Sequence, residues 1–248
     1  IEFSGAIGLS QDKAMAETGS YRFEIVSNDS ELLPIESPER KLDLAFRLAG
    51  NVDIETKTIR FFEMAARTLG GDAIGQGTMR FAGGTPEMIF GIRIPSMRVS
   101  DAKQLWPAMI ASGARKWVLD HVYGGTLKDS RIDVTFKSGF FDPLPPGKLR
   151  DPVTVEQVTG DFNVENARFD VIGDLPSVRD ASGRVEVRGS DTLITVSKGT
   201  AYLEDGSTAE VSNGTMGIPY AANQPIIANL SIDVAGMVQT IADLADRD

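Results

Sequence analysis

The feature that most constrains this chain is an alternation of apolar and polar residues with a period of two. It occurs at Leu42-x-Leu44-x-Phe46-x-Leu48 and returns in more than ten segments, most densely after residue 125. Such alternation is typical of β-strands that turn one face towards a core. The sequence therefore predicts a mainly β fold.

Several of these units begin with a glycine, which is followed by apolar residues two and often four positions later. They begin at Gly50, Gly125, Gly160, Gly183 and Gly199. Glycine accepts a positive φ without steric cost, so these positions are predicted to form turns. The units then read as hairpins laid side by side in an antiparallel meander.

Two segments break the alternation and are predicted to be amphipathic helices. Over residues 101–123 the apolar positions follow three- and four-residue steps, with Arg115 on the polar side, and Gly124-Gly125 is expected to end the helix. Pro107 makes its first residues either a separate turn or a kinked entry. A shorter stripe near the C-terminus predicts a second helix. The residues expected to pack the long helix are Trp106, Ile110, Trp117 and Val118, and those of the short helix are Met237, Ile241 and Leu244.

A proline-rich segment over 140–152 is the best candidate linker. It separates a β-rich segment, 1–139, which ends in the long helix and its following strand, from an acidic β-rich segment, 153–248. Residues 1–150 carry 19 acidic and 19 basic side chains, whereas residues 151–248 carry 16 acidic and 6 basic ones. An acidic surface repels phosphate backbones, so nucleic acid is not an expected partner.

Composition excludes much enzymology. The chain has no cysteine and one histidine, His121, so thiol nucleophiles, cysteine-ligated metals and histidine-rich metal sites are all excluded. Asp129 and Asp133 have equal parity along a strand, as a glycosidase pair requires, but solvated acids on the outer face of a sheet explain them better. The sequence predicts no catalytic residue, no metal site and no cofactor. It also has no membrane-spanning segment, because its longest charge-free run contains Pro219 and Pro225.

More than ten strands with an apolar face, and only two helices to cover them, allow two architectures. Two sheets can face one another as a sandwich, or one long curved sheet can keep an apolar concave face open. The alternation does not separate these alternatives.

One stretch of sequence carries a family resemblance. It contains Leu105-Trp106-Pro107, then Arg115-Lys116-Trp117-Val118, then Gly124-Gly125-Thr126-Leu127, followed further on by Gly160-x-Phe162 and Asp174-Leu175-Pro176. In this order and spacing the stretch resembles the bacterial AsmA-like superfamily, especially its YhdP-like branch, over residues ~100–204.

That resemblance implies an elongated antiparallel meander forming a curved sheet with an apolar, lipid-accommodating groove. It also implies a periplasmic segment of a larger envelope protein anchored in the inner membrane. Phospholipid acyl chains are then the expected partners, carried between the inner and outer membranes, while protein partners are unknown. The candidate groove or core residues are Leu127, Phe162, Val164, Phe169, Val171, Val185 and Val187. The alternative is a non-catalytic, sandwich-like interaction domain in outer-membrane or envelope assembly.

Overall fold

The computed structural model of the chain is an open, curved antiparallel sheet with two helices, which confirms the predicted mainly β fold. The residues that it describes are 4–9, 19–32, 41–81, 83–106, 112–145, 153–170, 176–203, 205–218 and 229–237. Within these ranges, twelve strands form one sheet in which each strand pairs with the next in the chain. The strands are β1 (Ser4–Leu9), β2 (Ser20–Leu32), β3 (Leu42–Asp53), β4 (Thr58–Thr68), β5 (Gly71–Arg80), β6 (Glu87–Arg98), β7 (Val122–Phe136), β8 (Val158–Phe169), β9 (Val178–Arg188), β10 (Asp191–Tyr202), β11 (Thr208–Ile218) and β12 (Asn229–Ala235).

The sheet has one apolar face. Each strand alternates apolar and polar residues, and the register places the apolar residues of neighbouring strands on the same side. Phe61 of β4 pairs with Gly77, Gly77 with Phe90, and Phe90 with Val134. In the next row on the same face, Ile92 of β6 pairs with Ile132 of β7. We call the side of the sheet that carries these rows the apolar face, and the opposite side the outer face. All the described strands belong to this one sheet, so no second sheet faces it within the described residues.

Three strands of the middle of the sheet contain β-bulges that a strict alternation does not anticipate. The register shifts near Asp129 in β7, near Asn166 in β8 and near Asp180 in β9. Each of these residues has a positive φ, between 42° and 55°. Short Asp and Asn side chains tolerate this conformation better than other non-glycine residues, so these positions can hold the extra residue of a bulge.

None of the glycines that open the predicted units forms a turn, although Gly125, which lies inside β7, has a positive φ of 76°. Gly50, Gly160, Gly183 and Gly199 lie inside strands and do not have a positive φ. Their role is steric. A Cβ at Gly50 would lie 2.7 Å from Cζ of Phe23, and one at Gly160 would lie 2.8 Å from Cε2 of Phe162. At Gly50 and Gly160 the missing side chain leaves room for an aromatic ring, whereas Gly183 lies against the backbone of Thr195 and Gly199 against the side chain of Val178. The prediction of turns was therefore wrong for a steric reason.

The helical segment predicted over 101–123 is divided in two. Helix α1 spans Val99–Leu105 and helix α2 spans Ser112–His121, on either side of Pro107. Strand β7 starts at Val122, so Gly124 and Gly125 lie inside it and do not end the helix. The short C-terminal helix was predicted at Met237, Ile241 and Leu244. Met237 follows β12, is not helical and is 70% exposed, so its predicted packing role was wrong, whereas Ile241 and Leu244 fall outside the described residues.

Strands β7 and β8, which flank the predicted linker at 140–152, are paired with each other. The linker therefore joins neighbouring strands of one sheet, and the division into two segments stays a prediction. The larger apolar core cluster lies between β6 and β11 and includes Trp117 of α2. The smaller cluster is built around Phe136 and Val187, at the end of β7 that faces residues 140–141.

Candidate functional site

An apolar cavity of about 280 Å³ lies between the two helices and the apolar face. Strands β4 to β9 form its base, and α1, Trp106 and α2 cover it. Among its lining residues only Lys103 is charged. The lining is Ala66, Ala73, Ile92, Ile94, Met97, Val99, Ala102, Lys103, Leu105, Trp106, Val118, Val122, Leu127, Ile132, Val134, Phe162, Val164, Phe169 and Val185.

The cavity exists because the side chains at one end of it are small. Ala66 of β4 and Ala73 of β5 are cross-strand partners, and both line the cavity. The next row on these strands holds Met64 and Gly75, and a Cβ at Gly75 would lie 3.2 Å from Cγ1 of Ile92. The short side chains of Ala66 and Ala73 thus leave space beneath α1 that larger ones would occupy.

Trp106 and Phe162 form an aromatic contact at the cavity, and both line it. Their rings are stacked with centroids 6.4 Å apart and planes 19° from parallel. Trp106 follows the last residue of α1, where the extended backbone (ψ 115°) turns the chain out of the helix. Phe162 packs against both core clusters. The pair therefore connects the helical cover to the centre of the sheet.

Two buried cations link the helices, and each donates a hydrogen bond to a carbonyl near the C-terminal end of the other helix. Nζ of Lys103, in α1, donates to the carbonyl of Leu119 in the last turn of α2 at 3.3 Å. Nε of Arg115, in α2, donates to the carbonyl of Trp106 at 3.1 Å. Unpaired carbonyls make a helix C-terminus partly negative, so both cations are favourably placed. Arg115 is only 5% exposed, so its predicted position on the polar side was wrong.

Asp101 fastens α1 to the sheet. Its carboxylate is buried and accepts hydrogen bonds from Oγ1 of Thr68 at 2.7 Å and from the backbone N–H of Gly70 at 3.1 Å. Arg98 forms an ion pair with the same carboxylate oxygen at 3.3 Å. The turn between β4 and β5 is thus tied to the first turn of α1. These contacts of Asp101 hold α1 in place over the small residues of β4 and β5.

The opposite ends of the strands are covered by a second aromatic group. Phe136, at the end of β7, contacts Phe140 and Phe141 with ring centroids 4.7 and 4.8 Å away. The backbone N–H of Thr85 donates to Asp142 at 2.6 Å, which holds this segment against the turn before β6. The apolar face is therefore covered near both ends of its central strands, by the helices at one and by the phenylalanines at the other.

Beyond the helices the apolar face is only partly covered. Phe46 of β3 pairs with Ala66 at the edge of the cavity, and Leu48 pairs with Met64 in the next row. These residues, like Ile25 of β2, are half-buried, whereas the corresponding positions of β8 to β11 are mostly buried. The cavity is thus continuous with a solvent-accessible apolar surface on the side of β3.

Most of the residues proposed from the sequence meet in this region. Leu127, Phe162, Val164, Phe169 and Val185 line the cavity. Val187 is 1% exposed and belongs to the smaller core cluster. Of the residues expected to pack the helix, Trp106 and Val118 line the cavity and Trp117 lies in the larger core. Val171 and Ile110 fall outside the described residues.

The sequence analysis missed the part of the lining that comes from β4 to β6. Ile92 and Ile94 follow the period-two alternation, but nothing in the sequence marks their segment as part of a cavity. Ala66 and Ala73 are small residues, whose contribution is the space that they leave. Lys103 follows the helical pattern as an ordinary polar position, and only its 2% exposure distinguishes it.

The outer face carries ion pairs between acidic and basic side chains. Asp161 of β8 lies between Arg184 and Arg188, and hydrogen bonds from the two guanidinium groups, opposed by slight burial, lower the pKa of its carboxyl. At the end of β8, hydrogen bonds from Arg168 lower the pKa of the Asp170 carboxyl, and Ser177 donates to it as well. Each acid has a cationic partner, an arrangement typical of a solvated sheet surface.

Asp129 and Asp133, the pair of carboxylates considered above, do not form a site. The bulge between Lys128 and Arg131 breaks the alternation on which their equal parity depended, and Asp133 is paired with Arg131 at 2.6 Å. In the described part of the chain, no three acidic or histidine residues are grouped so that they could hold a metal ion. None of the helices in that part has the length and apolarity that crossing a membrane requires.

In comparisons with known proteins, no family model, no curated protein and no solved structure matches the chain.

Proposed function

We propose that this chain is a segment of an AsmA-like, YhdP-like envelope protein that binds phospholipid acyl chains along its apolar face. In this proposal the segment lies in the periplasm, the whole protein is anchored in the inner membrane, and bound lipid moves between the inner and outer membranes. The observation that carries the proposal is an apolar cavity, covered by two helices, that is continuous with a half-buried apolar surface on β2 and β3.

The size of the cavity supports a hydrocarbon occupant. A volume of about 280 Å³ holds roughly nine methylene groups, if each takes about the 30 Å³ of a water molecule in the liquid. At about 0.8 kcal/mol per buried methylene, these contribute roughly 7 kcal/mol before the costs of immobilisation. This is enough for reversible binding without a specific polar contact. A second chain and the headgroup would remain outside the cavity.

The mechanism that follows from this geometry is passive. Polar headgroups stay in water, and the tails exchange one apolar row of the sheet for the next. No catalytic group is required. Because successive rows offer similar apolar contacts, movement along β2 to β5 meets little change in free energy.

Site-specific photo-crosslinking tests the proposal. Ile92 and Ile89 lie on one strand, β6, but Ile92 lines the cavity whereas Ile89 is 50% exposed on the outer face. A photo-reactive amino acid at residue 92 is expected to capture phospholipid, from cells or from vesicles of phosphatidylethanolamine and phosphatidylglycerol. The same amino acid at residue 89 is the matched control. Equal capture at both positions, or none at residue 92, would contradict acyl-chain binding on the apolar face.

A further inference from the structure

The cavity has one open and one closed end. Towards β3 it ends at Ala66 and Ala73, next to the half-buried Phe46. Towards β10 the lining stops at Val185 of β9. The cross-strand partners that continue this row are Ile194, which is 2% exposed, and Met216, which is 8% exposed. Both are packed into the larger core and neither lines the cavity.

The closed end has an aromatic wall. Phe162 pairs with Val185 across β8 and β9, and the indole of Trp106 is stacked on Phe162 from above. The backbone of Trp106 is held by the buried Arg115, so the wall is braced by α2. Lys103, the one charged residue of the lining, directs its ammonium group to the carbonyl of Leu119. The closed end therefore offers only apolar contacts.

We infer that the cavity is a pocket closed at one end, here called the blind seat, and that it binds the methyl end of a single unbranched acyl chain. Phe162 and Val185 set the length of the chain that it admits. The inference rests on the proposed function and deepens it. A polar headgroup must stay at the open end because burying it against this wall would leave it without hydrogen bonds. The chain thus enters methyl end first, and Phe162 and Val185 are specificity-determining residues.

The test measures affinity against chain length. The probes are saturated fatty acids of 8 to 18 carbons, which compete with a fluorescent fatty acid for the purified protein. For the unaltered chain, affinity is expected to rise about fourfold per added methylene while the seat fills. Beyond roughly nine buried methylenes the gain per carbon is expected to fall sharply, because further carbons meet the closed end or stay in the half-exposed groove.

Substitutions at the closed end are expected to move this break. Val185→Phe takes space from the seat and moves the break towards shorter chains by roughly two carbons, whereas Phe162→Leu moves it towards longer ones. Leu193→Phe, on the exposed outer face of β10, is the matched control and leaves the break in place. Circular dichroism and urea unfolding establish that each variant folds. If Val185→Phe does not fold, the direction of the shift in Phe162→Leu decides.

The outcomes separate the two proposals. A break that Val185→Phe and Phe162→Leu move in opposite directions supports the blind seat. Affinity that keeps rising through 18 carbons and is unaffected by either substitution overturns the blind seat but leaves acyl-chain binding in place. Absence of binding at every chain length, in folded protein, overturns both.

Discussion

For two glycines inside strands, we predict that a Gly→Ala change alters the free energy of unfolding in opposite directions. Gly183 of β9 and Gly217 of β11 both lie inside strands and neither has a positive φ. A Cβ at Gly183 would lie 2.0 Å from the backbone oxygen of Thr195 and 3.1 Å from Cα of Val196, whereas a Cβ at Gly217 would meet no atom within 4 Å. The same Gly→Ala change therefore tests the steric account at two matched sites.

At Gly217 the change is expected to stabilise the chain by about 0.5–1 kcal/mol, because alanine loses less conformational entropy than glycine on folding. At Gly183 this gain is outweighed, since the contacting atoms belong to the backbone of β10 and cannot rotate away. Overpacking of this kind costs about 1–3 kcal/mol, and a contact this short with backbone atoms places the expected loss near the upper end.

Equilibrium unfolding in urea, followed by far-ultraviolet circular dichroism, measures both effects. Gly183→Ala is expected to lower the midpoint and Gly217→Ala to raise it, with similar slopes. If Gly183→Ala is as stable as the unaltered chain, β9 and β10 do not approach as closely as the structure places them. The steric explanation of the glycine-initiated units would then be refuted.

Two further predictions concern single acids. Asp101→Ala leaves the Gly70 N–H and the Thr68 hydroxyl without their carboxylate acceptor. We therefore expect urea unfolding to show a loss of about 2–3 kcal/mol in the free energy of unfolding, and a smaller loss for Asp101→Asn. If Asp101→Ala is as stable as the unaltered chain, Asp101 does not anchor α1. Hydrogen bonds from Arg168 lower the pKa of the Asp170 carboxyl below the usual 3.8. The stability that this pair contributes is present above the usual pKa and is lost as the pH falls through the lowered one. Asp170→Asn is therefore expected to be less stable than the unaltered chain near neutral pH, and this difference is expected to shrink as the pH falls below 3.8. A difference that persists undiminished in acid would contradict this assignment.

The sheet itself could be predicted because alternation acts locally and consistently. Leu127, Phe162 and Val164 lie in alternating segments and were named as groove or core candidates, and all three line the cavity. Parity fails where a bulge adds a residue. The shift beside Asp129 depends on its positive φ, and many Asp residues never adopt that conformation, so the sequence does not mark it.

The cavity could not be predicted, since it depends on distances between elements that are far apart in the chain. Ala66 and Ala73 are separated from α1 by most of β5 and all of β6. Arg115 was expected on the polar side of a single helix. Because the chain forms two helices, one on each side of Pro107, Arg115 can donate a hydrogen bond to the carbonyl of Trp106 at the end of α1. This hydrogen bond makes the burial of the Arg115 cation favourable. A pattern read along one helix contains no information about such a partner.

Whether hydrocarbon occupies the apolar face is the central question, and the lipid content of the purified chain tests it most directly. The protein is purified from a bacterial membrane-containing lysate without detergent, extracted with organic solvent, and analysed by mass spectrometry against a β-rich protein of similar size treated identically. We expect phospholipid to accompany the chain in near-stoichiometric amount, and to be depleted when Ile92→Asp places a carboxylate in the cavity. Lipid no more abundant than in the reference protein, from chain that remains folded, would contradict the account.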